Sequence, residues 1–143
     1  MVSRAAQLHT PRGIAVGTLL GSLGAGAVLL WLNYRVLGHP RLANKVAAGG
    51  LVVYLLIITA ASMLPDHLLL GIAFIALQTG LAYWAADSLQ GDAVRYHLAR
   101  GGRAHSLVRS AGVGLLAGVS VIAVLLILTS VLGLSAPEAT PPG

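Results

Sequence analysis

Four long apolar segments alternate with short polar connections along the chain. They cover residues 13–32, 46–64, 67–86 and 110–134, and the charged clusters fall outside them. Each segment has close to the ~20 residues with which a helix crosses a hydrocarbon layer of about 30 Å. Backbone groups in lipid must bond within the protein, and the alternation of a membrane β-strand is missing here. The pattern therefore predicts an all-α integral membrane bundle of four transmembrane helices, a single domain over residues 1–134.

Helix breakers and capping residues mark the predicted boundaries. They are Thr10 as an N-cap followed by Pro11, a break at Gly38, His39 and Pro40, a tight turn at Pro65 with Asp66 as a cap, and a C-cap at Gly101 and Gly102. The short turn at Pro65 predicts that the second and third helices form a close antiparallel hairpin. Residues 135–143 contain three prolines and are predicted to be a disordered tail.

The third helix is predicted to extend beyond the membrane. No proline interrupts residues 66–100, which would measure about 52 Å as a straight helix. Because this length exceeds the bilayer core, we expect residues 87–100 to protrude into the cytoplasm or to bend along the surface. Gly91 is the expected position of a bend.

Composition excludes a soluble globular protein. Of the 143 residues, 57% are hydrophobic and 9% charged, and the mean hydropathy is +0.85, whereas soluble domains contain about 25% charged residues. The absence of cysteine excludes a disulfide framework, a thiolate metal site and a cysteine nucleophile. The net charge of +5 is scattered between apolar segments, so we predict the lipid bilayer as the partner and no binding to nucleic acid.

The distribution of lysine and arginine predicts the orientation in the membrane. Residues 33–45 and 87–109 together hold seven basic residues, and with four straight spans these two loops share one side. The opposite side would hold only Arg4 and Arg12. Because basic loops stay in the cytoplasm, both loops are expected there and both termini outside.

The four apolar segments contain no acidic or basic residue between their ends. Ionisable side chains at membrane depth are typical of proton relays and ion pathways, so a proton-coupled pump and a charge-selective channel are disfavoured. Gln78 is the candidate buried polar residue, because its own helix satisfies an amide less easily than a hydroxyl. Its amide is expected to form an interhelical hydrogen bond or to line a solute site.

Glycines recur every four residues on the first and fourth segments. The candidate helix-packing residues are Gly13, Gly17, Gly21, Gly26, Gly114 and Gly118. Small residues at this spacing share a helix face and let two backbones approach closely in lipid. The expected partner of this face is another helix of the same chain or a second subunit.

The polar loops offer no recognisable catalytic or metal site. His39, His97 and His105 are the candidate metal ligands, but no carboxylate accompanies them at a ligand spacing. Ser106 follows His105 without a nucleophile elbow or a carboxylate that would orient a base. We therefore predict no catalytic residue, no metal and no cofactor.

Several short motifs resemble a known family. The sequences TPRGI at residues 10–14, GSLGAG at 21–26 and NYRVLGHPRLA at 33–43 are similar to the F-x-G-S-P-L-A-G-G and N-Y-R-x-L-G-x-P signature of a family of uncharacterised small multi-pass bacterial membrane proteins. Gln90, Gly91, His97, Gly101, Gly102 and Ser106 are similar to its Q-G-x5-H-x3-G-G-x3-S segment. The resemblance covers most of the chain and implies a bacterial membrane protein, which we expect in the inner membrane, without implying an activity. Leu23 and Gly24 replace the Pro and Leu of the family, so the resemblance does not carry a proline kink over.

The shared motifs also predict a polar cluster at the cytoplasmic end. Asn33, Tyr34 and Arg35 end the first helix, while Gln90 and His97 are seven residues apart and share a face of the third. We expect these five residues to bring the two basic loops together, for stability of the fold or for ligand binding.

These features favour a non-enzymatic structural or accessory membrane subunit. Such a subunit would pack through its small-residue helix faces, as a homo-oligomer or in a larger membrane complex. The alternative is a small transporter or permeation subunit for a neutral solute, lined by Gln78 and nearby hydroxyls. A membrane enzyme that uses the loop between His97 and His105 is the third possibility.

Overall fold

The computed structural model describes residues 6–63, 65 and 67–131, and it confirms the all-α class. The elements are β1 (Gln7–Leu8), α1 (Pro11–Val36), α2 (Pro40–Ser62), α3 (Leu68–Ala99), β2 (Arg103–Ala104) and α4 (Leu107–Val131). All four helices are long and apolar enough to cross a membrane. The two-residue strands β1 and β2 form a short parallel pair.

The helix boundaries predicted at Thr10, Gly38 and Gly101 are confirmed, whereas α2 begins at Pro40, before the apolar segment that starts at residue 46. Thr10 Oγ1 accepts a hydrogen bond of 3.1 Å from the Gly13 N–H, and Pro11 is the first residue of α1. Gly38 and Gly101 both have a φ of +81° directly after a helix end, a conformation that glycine adopts without a steric penalty. The predicted cap Asp66 and the predicted disordered tail 135–143 lie outside the described residues.

The third helix is one continuous helix. α3 keeps its helical conformation through Gly91, where a bend was predicted, and its 32 residues correspond to about 48 Å. Its C-terminal part is packed rather than free, because Gln90, Val94 and His97 are buried. The extension is therefore an integral part of the bundle.

The first helix is folded back on itself at Ser22. This residue has a φ of 77° and a ψ of 173°, which divides α1 into a first arm (residues 11–21) and a second arm (residues 23–36). The His9 N–H donates a hydrogen bond of 2.7 Å to Asn33 Oδ1, although 24 residues of straight helix would measure about 36 Å. The arms are therefore antiparallel, and α1 begins and ends at the same end of the bundle.

The α1 hairpin is the centre of the fold. In the most apolar window of α1, 61% of the residues are buried, against 0% for α2 and 6% each for α3 and α4. Across the described ranges, α2, α3 and α4 pack against α1 and scarcely touch one another, so the prediction of a close hairpin of the second and third helices is wrong. Because a first arm of 11 residues rises only about 16 Å, the tip at Ser22 reaches about half the depth of a bilayer.

The hairpin places the N-terminal segment (residues 6–10) beside the basic loops. Gln7 pairs with Arg103 and Leu8 with Ala104, so this segment lies at the end of the bundle that carries the α3–α4 connection. The prediction that Arg12 lies opposite the basic loops is therefore wrong, because it assumed that the first apolar segment runs through the bundle once. Eight of the nine basic residues belong to this end, and the ninth, Arg4, lies outside the described residues. We call it the basic end and the opposite one the far end.

The glycine face of the first arm packs against α4. A Cβ built on Gly13 would lie 2.7 Å from Ser110 Oγ, and a Cβ on Gly118 would lie 2.8 Å from the Gly21 Cα. Gly17 and Gly114 are in similarly close backbone contact. Gly26 meets the Thr18 side chain of the opposite arm and Ala82 of α3. All six predicted packing glycines thus contact other helices or the other arm of α1 within the same chain.

Candidate functional site

A cluster of buried polar side chains lies beneath the N-terminal segment at the basic end. Its members come from four parts of the chain: His9, Asn33, Gln90, His97 and Ser110, each no more than 8% exposed. Buried polar groups are costly unless they are hydrogen-bonded. The partners of each side chain therefore show what the cluster can do.

Asn33 is the central member of the cluster. Its Nδ2 donates to the His9 carbonyl oxygen at 2.7 Å and to Gln90 Oε1 at 2.9 Å, while its Oδ1 accepts from the His9 N–H. Gln90 Nε2 in turn donates to the Leu30 carbonyl oxygen at 2.9 Å. These bonds join the N-terminal segment, the second arm of α1 and α3 through two side-chain amides.

His9 connects the same network to α4. Its Nδ1 lies 2.7 Å from Ser110 Oγ, and its ring centroid lies 4.3 Å from that of His105. Burial, together with the nearby His105 and Arg109, lowers the pKa of His9 to about 4. Burial and Arg109 also lower the pKa of His105. His9 is consequently neutral at physiological pH and acts as a hydrogen-bonding group rather than as a charge.

The five residues predicted as a polar cluster are only partly brought together. Asn33 and Gln90 bond directly, and the Tyr34 hydroxyl donates to the Leu89 carbonyl oxygen at 3.2 Å. His97 joins through the N-terminal segment, because its Nε2 lies 3.0 Å from the Ala6 carbonyl oxygen. Arg35 points elsewhere, with its guanidinium 5.2 Å from the centre of the Trp31 ring.

Sequence reasoning missed His9 and Ser110. The two residues are 101 positions apart, and four straight spans would place His9 at the opposite end from the α3–α4 connection. The available signal is weak: His9 immediately precedes the capping Thr10, and Ser110 continues the small-residue face of α4. The contact between His9 and Ser110 could be predicted only with knowledge of the chain reversal at Ser22.

The polar groups of the cluster bond to one another and to nearby backbone groups. A hydroxyl beside an imidazole has the geometry of a nucleophile and its base, but Ser110 is 0% exposed, which leaves no access for a substrate. Each hydrogen-bonding partner described for His9 is an amide, a carbonyl or a hydroxyl group. Within the described ranges, no three histidine, aspartate or glutamate side chains converge as a possible metal site.

Gln78, the predicted buried polar residue, holds the tip of the hairpin. Its Oε1 accepts a hydrogen bond of 3.1 Å from the Leu23 N–H, one of the free amide groups that begin the second arm. Beside it, Ser22 Oγ and Thr79 Oγ1 are buried without a hydrogen-bond partner among the described residues. The α1 break is thus stabilised from α3 through the side chain of Gln78.

These features define a helical bundle of the membrane-spanning type that surrounds an internal helical hairpin. Comparison of the chain with protein-family models, with curated proteins and with solved structures gives no match. The resemblance described above thus stays a prediction, and the function has to be argued from the geometry.

Proposed function

We propose that the protein is a non-enzymatic membrane subunit that assembles with further copies of itself or with other membrane proteins. The observation that supports this is the incomplete packing of the far end. Beyond the hairpin tip, α2, α3 and α4 scarcely touch one another in the described part of the chain. Their far segments (residues 58–62, 68–77 and 119–131) are mostly exposed.

The far segments also suit contact with other helices in lipid. Helices in a bilayer associate through close packing rather than through the hydrophobic effect, so surfaces that leave gaps gain most from a partner. The hydroxyls of Thr59, Ser120 and Ser130 each bond to a carbonyl oxygen of their own helix, which leaves these surfaces effectively apolar. The glycine faces cannot supply the interface, because they are used inside the chain.

Introduced cysteines test this proposal directly, because the chain contains none. Leu69→Cys and Leu126→Cys place a thiol on exposed far positions, 79% and 63% exposed, and Val108→Cys is a control at the basic end with 81% exposure. After oxidation in native membranes, we expect disulfide-linked dimers, or adducts with another subunit, at the far positions but not at Val108. Monomers alone at both far positions would contradict the proposal.

The proposed location is a bacterial inner membrane with the basic end in the cytoplasm. The eight described basic residues all lie at that end, whereas the turn around Pro65 and the end of α4 lie at the other. Because lysine and arginine are enriched on the cytoplasmic side, the hairpin makes the asymmetry stronger than four straight spans would. The N-terminal segment (residues 6–10) then lies in the cytoplasm and the end of α4 outside.

The hairpin tip supports a second candidate, a permeation subunit for a small neutral solute. Broken helices near the midplane form the binding sites of many transporters, and the hydroxyls of Ser22 and Thr79 lack partners among the described residues. Against this, Gln78 is engaged by the Leu23 N–H. Glycerol uptake into proteoliposomes distinguishes the two, since a pure assembly subunit leaves uptake at the rate of empty liposomes.

A further inference from the structure

A long apolar groove runs between α2 and α4, with the second arm of α1 as its floor. Its volume is about 790 Å³, and Gly24, Ala27, Ala47, Leu51, Val113 and Ala117 are among the residues that line it. The lining is aliphatic except for Tyr54 and Ser120. Because the Ser120 hydroxyl already donates to the Leu116 carbonyl oxygen at 2.8 Å, the groove offers little to a polar solute or to water.

The length of the groove corresponds to one leaflet. Its lining extends from Ala47 to Ile58 on α2 and from Val113 to Val124 on α4, which is a rise of about 16 Å on each helix. Half of a hydrocarbon core of about 30 Å has nearly the same depth. One acyl chain that enters from the basic end would therefore lie along the groove.

The basic end of the groove carries cations at the level of the lipid headgroups. Arg109 lies one helical turn before Val113, and Trp31 and Arg35 continue the face of Ala27 and Val28 on the second arm. Trp31 Nε1 donates to Asn44 Oδ1 at 3.2 Å, which fixes the indole between α1 and α2. In the described part of the chain, the ion pairs are those of Arg95 with Asp87 and Asp92, so Arg35 and Arg109 are available to an anion.

We propose that this groove is a binding site for an anionic phospholipid of the leaflet at the basic end. The acyl chain fills the space between α2 and α4, and the phosphate lies between Arg35 and Arg109. An acyl chain alone gains little, because it leaves one hydrocarbon environment for another. Selectivity therefore comes from the two arginines, as in the basic pockets between helices that recognise anionic headgroups. The headgroup part of the site is separate from the assembly surface proposed above, because its cations lie at the basic end, whereas Ile58, Ser120 and Val124 at the other end of the groove belong to the far segments.

Native mass spectrometry of the full chain tests the site. Phosphatidylglycerol and phosphatidylcholine with identical acyl chains are added in separate samples to the detergent-solubilised protein. We expect one retained phosphatidylglycerol and much weaker retention of phosphatidylcholine. The Arg35→Gln and Arg109→Gln double variant is expected to lower phosphatidylglycerol retention roughly thirty-fold, as expected for two basic residues near a lipid surface.

Two further variants separate this site from general charge effects and from folding. Lys45→Gln combined with Arg100→Gln removes the same charge from the basic end, but Lys45 lies on the side of α2 away from the groove and Arg100 follows α3. This control should retain phosphatidylglycerol like the wild type. Ala117→Phe fills the groove and should abolish retention without lowering the melting temperature.

Three results would overturn the proposal. They are equal retention of both lipids by the wild type, equal loss in the two double variants, and unchanged retention in a folded Ala117→Phe variant. A fourth is a wild-type dimer that retains no lipid and that Ala117→Phe dissociates, because it would assign the groove to a helix of a second copy.

Discussion

Gly114→Ala is expected to destabilise the protein by about 3 kcal/mol. Gly112→Ala, two residues earlier on the same helix, is expected to be neutral or slightly stabilising. A Cβ on Gly114 would lie 2.5 Å from the Gly17 Cα, but nothing lies within 4 Å of a Cβ on Gly112. The group in the way is backbone, so relief requires the first arm and α4 to separate. At Gly112 only the better helix propensity of alanine remains, worth up to about 1 kcal/mol in water.

Thermal denaturation of both variants in the same detergent measures this difference. The melting temperature of Gly114→Ala should fall by several degrees relative to Gly112→Ala. Equal melting temperatures would show that the first arm and α4 are not in backbone contact. Gly71 on α3 is another position where a Cβ has no neighbour within 4 Å. Gly71→Ala therefore controls for the general effect of alanine on membrane helices.

Asn33→Leu is expected to cost a comparable amount, about 3 kcal/mol. Leucine has a similar size but cannot replace the bonds to the His9 N–H, the His9 carbonyl oxygen and Gln90 Oε1. All three groups would be left buried without a partner, and the N-terminal segment would lose its main attachment to α1. The exposed Asn44, which bonds to the Trp31 indole, provides the matched control Asn44→Leu, with an expected loss below about 1 kcal/mol.

Hydrogen exchange locates the effect of Asn33→Leu. The His105 N–H donates to the Leu8 carbonyl oxygen at 2.9 Å, so it reports whether the N-terminal segment is docked. We expect the amides of His9 and His105 to exchange faster in Asn33→Leu and at the wild-type rate in Asn44→Leu. Unchanged protection of both amides in Asn33→Leu would refute the role assigned to the cluster.

The residue patterns were sufficient to predict the all-α fold class and most of the helix boundaries. Hydropathy found all four helices because lipid selects the same apolar composition in each of them. The caps at Thr10 and Gly101 followed from local backbone preferences, which need no tertiary information. The start of α2 was misplaced, since α2 begins at Pro40 rather than at residue 46, because its first turn is polar and lies outside the apolar window.

The reversal at Ser22 was not predictable from hydropathy. A mean hydropathy is the same for a helix that crosses lipid and for a hairpin of equal composition buried among other helices. Serine has no special preference for a positive φ, so the residue itself gives no warning. Gly21 and Gly24 flank it, and Gln78 supplies an amide acceptor from α3, but their role depends on a contact 55 residues away along the chain.

The polar cluster was only partly predicted, because two of its members depend on the reversal at Ser22. Asn33 and Gln90 were identified because helical periodicity and the order of the loops are local information. His9 and Ser110 required the correct position of the N-terminus, which the reversal at Ser22 determines. A single unrecognised turn thus accounts both for the missed residues and for the wrong position of Arg12.

The sidedness of three introduced cysteines tests the hairpin most directly. Gln7→Cys, His39→Cys and Pro65→Cys are labelled separately with a membrane-impermeant thiol reagent, in vesicles of each orientation. The α1 hairpin predicts that Gln7 and His39 are labelled from the same side and Pro65 from the other. Labelling of Gln7 and His39 from opposite sides would mean that α1 crosses the membrane once, and would contradict the structure described above.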